Sequence, residues 1–322
     1  MKKYYFMAGL PRAGSTLLSS LLNQNPQFYS GPSSPVTGIM LTLEKYVPTD
    51  ELYLAFPKPQ QIGQLISNVI NHYYSDVDKP IVFDKNRSWL NRMNYIPGYF
   101  GVEPKVLCPV RNIDEILASF IDMHNRNPFE VDGRVNFMDE MLIKNNIPLT
   151  DENRCQFLVS PRGILGQSYN GIKQALMEGR QKQIHFIEYD DLITNPEETM
   201  QKIYEFLEEE YFEHDFKNIK NIHKENDAKV YGLDDMHEVR RKLSRSNINP
   251  AEVLPQSILE QCKGTEFWRN LEELEEPEES INIDNDSNSE DSMESTLIGA
   301  KNAVKQRTKN TRTNSKNNNR SA

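Results

Sequence analysis

A short glycine-containing loop lies near the N-terminus of the chain: Gly9-Leu10-Pro11-Arg12-Ala13-Gly14-Ser15-Thr16. The apolar run at 4–8 precedes it and predicts a strand, and the segment 14–23 follows with leucines at helical spacing. A loop between a strand and a helix turns several backbone N–H groups toward the positive end of the helix. This loop is therefore predicted to bind a phosphate or a phosphate-like anion.

Strand-like and helix-like segments alternate along the following two hundred residues. Strands are predicted at 4–8, 81–83, 105–110 and 184–187, and helices at 14–23, 62–74, 113–123, 166–179 and 196–209. The alternation predicts an α/β, three-layer, P-loop-like fold with a central parallel sheet flanked by helices. The polar segment 125–160 is predicted to be a cap or insertion over the carboxyl edge of the sheet, where such folds bind ligands.

Length and composition set the predicted domain boundaries. The chain has 322 residues, of which 37% are hydrophobic, so it is long enough to bury a core. Between 272 and 294 it carries eleven acidic residues and no basic one, and between 301 and 320 seven basic residues and no acidic one. Such stretches bury too little apolar surface to fold. We predict a folded domain at 1–271 and a disordered, acidic and then basic tail at 272–322.

Charge and hydropathy narrow the expected partners. The net charge of −10 does not favour nucleic acid as a ligand of the folded part. No run of about eighteen apolar residues is present, and the N-terminus does not have the pattern of a secretory leader. We therefore expect a cytoplasmic protein that makes no membrane contact.

The loop differs from that of a nucleotide-hydrolysing protein at one position. The spacing Gly9-x-x-x-x-Gly14 is that of a Walker A loop, but Ser15 stands where such a loop requires lysine. The positive charge lies inside the loop instead, at Arg12, whose guanidinium can hold two anionic oxygens in a fixed fork.

A second candidate for a phosphate contact is the pair Arg111 and Ser119. Arg111 follows the predicted strand 105–110, and Ser119 stands eight residues later in the predicted helix. That offset is about two helical turns, or roughly 10 Å, which an extended arginine can largely span. The two side chains can share one phosphate, although packing of Ser119 within the helix accounts for the same pattern.

Four motifs in order resemble those of the sulfotransferase family, whose members transfer a sulfuryl group from 3′-phosphoadenosine-5′-phosphosulfate (PAPS) to a hydroxyl or amine. The loop resembles the family's 5′-phosphosulfate loop, especially in the tyrosylprotein and carbohydrate branches. Lys85 is similar to its second-strand lysine, and Arg111 with Ser119 to its 3′-phosphate motif. The segment 187–192, followed by Pro196, resembles its strand-loop-helix beside the nucleotide.

The resemblance implies a role for each of these residues. PAPS would be the co-substrate, and the residues implied to bind it are Arg12, Ala13, Gly14, Ser15, Thr16, Arg111, Ser119, Tyr189 and Lys242. Lys85 and Arg12 would be catalytic, because they place positive charge near the donor's bridging oxygen, and no metal ion would be needed. The acceptor would be a carbohydrate, a peptide or a small molecule.

The base that removes the acceptor's proton is left open. The tyrosylprotein branch carries a glutamate shortly after the first helix, but the segment 30–35 here reads Ser-Gly-Pro-Ser-Ser-Pro. The candidates are Glu44, His72, Asp84 and His124. Alternatively, Ser33 and Ser34 orient the acceptor by hydrogen bonds.

The sequence lacks the motifs that are typical of several other classes of enzyme. The six histidines show no metal-ligand spacing, no Gly-x-Ser-x-Gly elbow is present, and no Gly-x-Gly-x-x-Gly follows the first strand. Metal enzymes, serine hydrolases and dinucleotide oxidoreductases are therefore disfavoured. Two alternatives to a sulfotransferase stay open: a P-loop kinase of small molecules, which Ser15 disfavours, and a catalytically silent nucleotide-binding scaffold, which the missing glutamate suggests.

Overall fold

A five-stranded parallel sheet forms the centre of the protein. The computed structural model describes residues 2–245 and 247–271, so the tail predicted at 272–322 lies outside the described residues. The strands are β1 (Lys3–Met7), β2 (Phe28–Ser33), β3 (Ile81–Lys85), β4 (Val106–Val110), β5 (Glu130–Val131), β6 (Arg134–Val135) and β7 (Ile184–Glu188). The large sheet has the order β2-β3-β1-β4-β7, and β5 and β6 form a separate antiparallel hairpin.

Helices cover the sheet and confirm the predicted α/β class. They are α1 (Ser15–Leu22), α2 (Val36–Tyr46), α3 (Glu51–Ala55), α4 (Pro59–Tyr73), α5 (Ile96–Phe100), α6 (Ile113–Arg126), α7 (Phe137–Lys144), α8 (Asp151–Val159), α9 (Ile164–Met177), α10 (Tyr189–Thr194), α11 (Pro196–Leu207), α12 (Asp227–Tyr231), α13 (Pro250–Val253) and α14 (Gln256–Gln261). Short 3₁₀ helices lie at Val47–Thr49, Arg87–Tyr95, Gln181–Gln183 and Phe267–Arg269. Within the described ranges, no helix is both long and apolar enough to cross a lipid bilayer.

The burial of the central strand β1 shows why the sequences of the strands are continuous apolar runs. Its side chains alternate between two cores: Phe6 packs in the core on one face of the sheet, and Tyr5 and Met7 pack in the core on the other. Both faces of the sheet are covered by helices, so no position on β1 needs to be polar except near its start. This two-sided burial is what the sequence pattern predicted.

The sequence analysis missed the edge strand β2. Gly31 and Pro32 within it are residues that argue against a strand. The strand is nevertheless tolerated because it pairs only with β3 and lies at the edge of the sheet, where a missing N–H donor costs little. The pairing shifts register between Ser30 and Ser33, which brings Ser33 opposite Lys85.

The segment predicted as a cap forms the hairpin β5–β6 and the helices α7 and α8. A buried ion pair ties the two helices together, since Arg154 Nε donates to Asp139 Oδ1 at 2.7 Å. The same carboxylate lies 3.0 Å from His124 Nε2 on α6 through its other oxygen. The segment therefore packs against the helix that follows β4, and its role as a cap stays a prediction.

Two glycines allow the turn between β1 and α1. A Cβ at Gly9 would lie 2.2 Å from the carbonyl oxygen of Pro109, so a side chain there would push β1 away from β4. Gly14 has φ +85, a left-handed conformation that costs other residues about 1–2 kcal/mol. A Cβ at Gly14 would also come within 3.0 Å of the Tyr189 ring. The loop therefore requires glycine at both positions.

We expect Gly14→Ala to destabilise the protein and Gly63→Ala to leave it unchanged or more stable. The first alanine is strained and touches Tyr189, so the free energy of unfolding should fall by about 1–2 kcal/mol. The second lies inside α4 with open space around its Cβ, and helix propensity favours alanine by about 0.5–1 kcal/mol. Urea unfolding of the full chain, followed by circular dichroism, measures both. Equal effects would contradict the required conformation of Gly14.

Candidate functional site

A cleft of about 990 Å³ opens where all five strands of the large sheet end. Each strand contributes a residue at or just after its carboxyl end, and these are Gly9, Ser33, Lys85, Arg111 and Tyr189. In open α/β sheets this edge is where ligands bind, because the loops that follow the strands converge there.

The cleft is cationic although the protein is acidic. Seven arginine and lysine side chains line it, against four aspartate and glutamate side chains. The whole chain, in contrast, has a net charge of −10. A cleft with an excess of charge of one sign concentrates ligands of the opposite sign. The lining therefore suits an anionic ligand.

The predicted anion loop forms one wall of the cleft. Gly14, Ser15 and Thr16 line it, whereas Ala13 is fully buried behind the loop. The N-terminus of α1 has no side-chain cap and no acidic residue in its first turn. Its first N–H groups are therefore available to an anion, which the positive end of the helix also attracts.

Arg12 connects three separate parts of the chain. Its backbone has φ 58, and its Nε donates to Ser119 Oγ at 3.2 Å on α6. Its Nη1 donates to the carbonyl oxygen of Met236, in the segment that follows the last strand. Burial, and then the charge of Arg111, lower the pKa of Arg12 to about 10. The loop arginine thus lies beside the serine that was predicted to bind a second phosphate.

Arg111 is buried and held from several sides. Its Nε donates to Glu115 Oε2 at 2.9 Å, its Nη1 donates to the Arg12 carbonyl at 3.3 Å, and its guanidinium lies 4.3 Å from the Tyr189 ring centroid. Burial raises the pKa of Glu115, but the hydrogen bond and charge of Arg111 outweigh this and lower it. Glu115 therefore stays ionised and fixes the guanidinium in the cleft.

Lys85 ends β3 and is 6% exposed. Its Nζ donates to Glu225 Oε1 at 3.3 Å. Burial lowers the pKa of Lys85, and the charge of Glu225 opposes that effect. Arg87 lies two residues further on, lines the same cleft, and hydrogen bonds Tyr231. Lys85 is thus held at the cleft by a partner from a distant segment.

Lys242, in the segment that follows α12, also lines the cleft. It is exposed, and its segment includes Arg240, whose Nη1 donates to Ser244 Oγ at 3.0 Å. The structure therefore brings eight of the nine residues predicted to bind the donor to one cleft, together with Lys85, and Ala13 lies directly behind it.

The four candidates for the base lie outside this cleft. Glu44 accepts hydrogen bonds from Arg92 and from the Tyr99 hydroxyl, the latter at 2.7 Å. His72 is exposed on α4. Neither side chain faces the residues that were predicted to bind the donor.

The other two candidates are engaged in buried networks. The Asp84 carboxylate is fully buried, burial raises its pKa, and it accepts hydrogen bonds from Ser34 Oγ, the Tyr74 hydroxyl and Trp89 Nε1. His124 contacts Asp139 through Nε2 and Asn125 through Nδ1. Because these polar atoms already have partners, both residues support the fold.

Three residues at the cleft were not singled out as site residues by the sequence analysis. Glu225, Asp227 and His237 place ligand atoms within 4.8 Å of one another, which is the spacing of a metal site among the described residues. The Lys85 ammonium already pairs with Glu225, so a positive charge occupies part of this group. The three residues are close in sequence, but their position beside the cleft could not be seen there, because Lys85 and Glu225 are 140 residues apart.

A comparison with models of protein families identifies the family of this chain. The model of the sulfotransferase domain family matches residues 2–249. The chain belongs to the sulfotransferase family. The resemblance found in the sequence is thereby confirmed, and the general chemistry of the protein is transfer of a sulfuryl group. A comparison with curated protein sequences finds no match.

Solved sulfotransferase structures are similar to this chain at low sequence identity. The sulfotransferase domain from the curacin biosynthetic pathway is 14% identical, with a TM-score of 0.53, and the match covers 81% of this chain and 96% of that one. A domain of the Synechococcus olefin synthase is 16% identical, with a TM-score of 0.45 and coverages of 84% and 94%. A mouse sulfotransferase complexed with PAP is 11% identical, with a TM-score of 0.48 and coverages of 85% and 88%.

Proposed function

We propose that this protein transfers a sulfuryl group from PAPS to an acceptor hydroxyl by in-line displacement. The observation that carries the proposal is the direct contact among Arg12, Arg111 and Ser119 in a cationic cleft beside the free N-terminus of α1. PAPS carries a phosphosulfate at one end of its ribose and a phosphate at the other. A cleft with two adjoining sets of anion contacts matches such a donor better than a single phosphate site does.

The 5′-phosphosulfate lies against the loop in this proposal. Backbone N–H groups of residues 13–16 and the hydroxyls of Ser15 and Thr16 donate to its oxygens, as expected at the N-terminus of a helix. Arg12 adds a positive charge to this end of the donor, and its Nε and Nη1 bond neutral acceptors that an anion can replace.

The 3′-phosphate is held by Arg111 and Ser119. Glu115 holds the Nε of the Arg111 guanidinium and the Arg12 carbonyl accepts from its Nη1, and the phosphate binds the N–H groups that these two contacts leave. Tyr189 packs against that guanidinium and forms the floor beside the nucleotide. Lys242, which is exposed at the mouth, adds a charge contact when the donor is bound.

Lys85 stabilises the leaving group. The acceptor oxygen forms a bond to sulfur while the bond from sulfur to the bridging oxygen breaks, and the electron pair stays on the 5′-phosphate of adenosine 3′,5′-bisphosphate. The Lys85 side chain is buried and that of Arg12 is partly buried at the cleft, and a charge aimed at the developing anion has a larger effect there than in water. The protein mainly positions this displacement, as in phosphoryl transfer.

The acceptor's apolar part lies in a second pocket of about 550 Å³. Ile39, Leu41 and Leu43 of α2 line it, and Asn86 and Ser88 are common to this pocket and the donor cleft. An acceptor with an apolar body and one hydroxyl can therefore occupy the pocket and present the hydroxyl to the cleft. We propose a small-molecule acceptor of this kind.

The full chain should bind adenosine 3′,5′-bisphosphate tightly and without a metal, and magnesium-ATP weakly. Both phosphates of the bisphosphate find contacts, whereas ATP lacks a 3′-phosphate and the loop lacks the Walker lysine. Isothermal calorimetry with and without EDTA measures this. Preference for magnesium-ATP would replace the proposal by a kinase. Binding without any release of bisphosphate from PAPS, across a panel of hydroxyl acceptors, would indicate a silent scaffold.

We expect Arg111→Ala to weaken the bisphosphate by about 10- to 100-fold, the range for loss of a charge-assisted contact. Adenosine 5′-phosphosulfate lacks the 3′-phosphate, so its affinity should change far less. Calorimetry on the same preparation compares the two ligands, and Arg134→Ala, at an exposed arginine outside the cleft, is the matched control. Equal losses for both ligands would remove Arg111 from its proposed role.

Lys85→Ala should lower kcat for release of bisphosphate from PAPS by about 10²-fold, with little change in donor affinity, because its charge acts mainly in the transition state. The rate is measured with 4-nitrophenol as the acceptor, by stopping the reaction at set times and separating the bisphosphate from PAPS by chromatography. Lys173→Ala, on the exposed side of α9, is the control. An unchanged kcat would show that Lys85 has only a structural role.

A further inference from the structure

Four ionisable side chains form a continuous row beside the cleft. Lys85 Nζ lies 3.3 Å from Glu225 Oε1, and Glu225 Oε2 lies 3.7 Å from His237 Nδ1. The row ends with Asp227, whose Oδ1 lies 2.6 Å from the same His237 nitrogen. Both Lys85 and His237 line the cleft. An imidazole therefore stands close to the lysine that faces the reacting group in the proposed function.

Asp227 fixes the imidazole through two contacts. Its Oδ2 accepts a hydrogen bond from the His237 backbone N–H at 2.8 Å, and its Oδ1 contacts Nδ1. A carboxylate can only accept, so Nδ1 carries the proton and Nε2 carries a lone pair. Within the part of the chain that the structure describes, no group hydrogen bonds Nε2. The free nitrogen is the basic one, and the residue faces the cleft.

The position of Glu225 suits it to support the imidazole and not to accept the proton itself. Its Oε1 is already engaged by the Lys85 ammonium and by the Ser33 backbone N–H, the latter at 3.3 Å. Its Oε2 faces the imidazole. Once the imidazole accepts a proton, Asp227 and Glu225 together balance the new positive charge, as a carboxylate does for a catalytic histidine.

We propose that His237 is the catalytic base for the acceptor and that Asp227 is its positioning residue. The inference rests on the proposed function and fills the role for which Glu44, His72, Asp84 and His124 are misplaced. The proton of the acceptor hydroxyl passes to Nε2 as its oxygen bonds to sulfur. The bond from sulfur to the bridging oxygen breaks, and its electron pair leaves with the bisphosphate. The imidazolium then loses its proton to water.

The first test compares His237→Gln with His72→Gln. Glutamine retains a polar side chain but cannot take the proton, so bisphosphate release with phenol as the acceptor should fall by about 10²-fold or more. Calorimetry should show unchanged bisphosphate affinity, which separates a lost base from a misfolded cleft. His72 is exposed on α4, so its variant should keep the wild-type rate.

The second test varies the acidity of the acceptor. 4-Nitrophenol is far more acidic than phenol and is already partly ionised near neutral pH, so it needs less help from a base, whereas phenol must lose its proton in the reaction. The ratio of wild-type to His237→Gln rates should therefore be much larger for phenol than for 4-nitrophenol. A residue that only supports the fold would lower both rates equally.

The third test is Asp227→Asn, which keeps a side chain of similar size but removes the carboxylate that orients the imidazole. The rate should fall more for phenol than for 4-nitrophenol, as it does for His237→Gln, and calorimetry should show unchanged bisphosphate affinity. An equal fall for both phenols would mean that Asp227 only supports the fold.

The outcomes separate the two proposals. A wild-type chain that binds the bisphosphate but releases none from PAPS overturns the proposed function, and the role of His237 with it. If the wild-type chain releases bisphosphate and His237→Gln leaves that rate unchanged, or lowers it equally for both phenols, only the role of His237 is overturned. A wild-type rate that EDTA abolishes would place a metal on Glu225, Asp227 and His237, and would also overturn it, because a ligated imidazole cannot act as the base.

Discussion

The site depends on a close backbone approach at the end of β1. Any side chain at Gly9 would lie 2.2 Å from the carbonyl oxygen of Pro109. With glycine there, the Leu10 N–H donates to that oxygen at 2.9 Å, so β1 and β4 stay paired up to the loop. The chain can then reverse through left-handed residues, Arg12 and Gly14, and start α1 with its N–H groups toward the cleft. The other walls of the cleft are placed relative to this turn.

The second constraint is electrostatic. Arg12 and Arg111 are brought together in a partly buried place, and like charges under those conditions repel each other. The Glu115 carboxylate, the Tyr189 ring and the Met236 carbonyl each offset part of that repulsion. Among the described residues, Nη2 of each guanidinium has no hydrogen-bond acceptor and can bind an anion. Because an anion relieves the repulsion that the fold tolerates, its binding also stabilises this edge of the sheet.

The sequence predicted those features that depend on residues close together along the chain. All four predicted strands and all five predicted helices exist, with ends that shift by no more than three residues, because two-sided burial leaves uninterrupted apolar runs. The residues that follow strand ends, such as Lys85 and Arg111, could be placed in one cleft because parallel strands end at a common edge. β2 was missed because its edge position, which the sequence does not reveal, is what tolerates Pro32.

The row from Lys85 to Asp227 could not be predicted, because Lys85 and Glu225 lie 140 residues apart in the sequence and meet only in the folded chain. The same holds for Arg12 and Met236, which are 224 residues apart. Met236 directly precedes His237, so one turn of the chain both accepts a hydrogen bond from the loop arginine and carries the imidazole. A donor that draws Arg12 toward its phosphosulfate releases that carbonyl. Arg12 and the proposed base are therefore linked through adjacent residues of one segment, so a change in the contacts of Arg12 on donor binding acts directly beside His237.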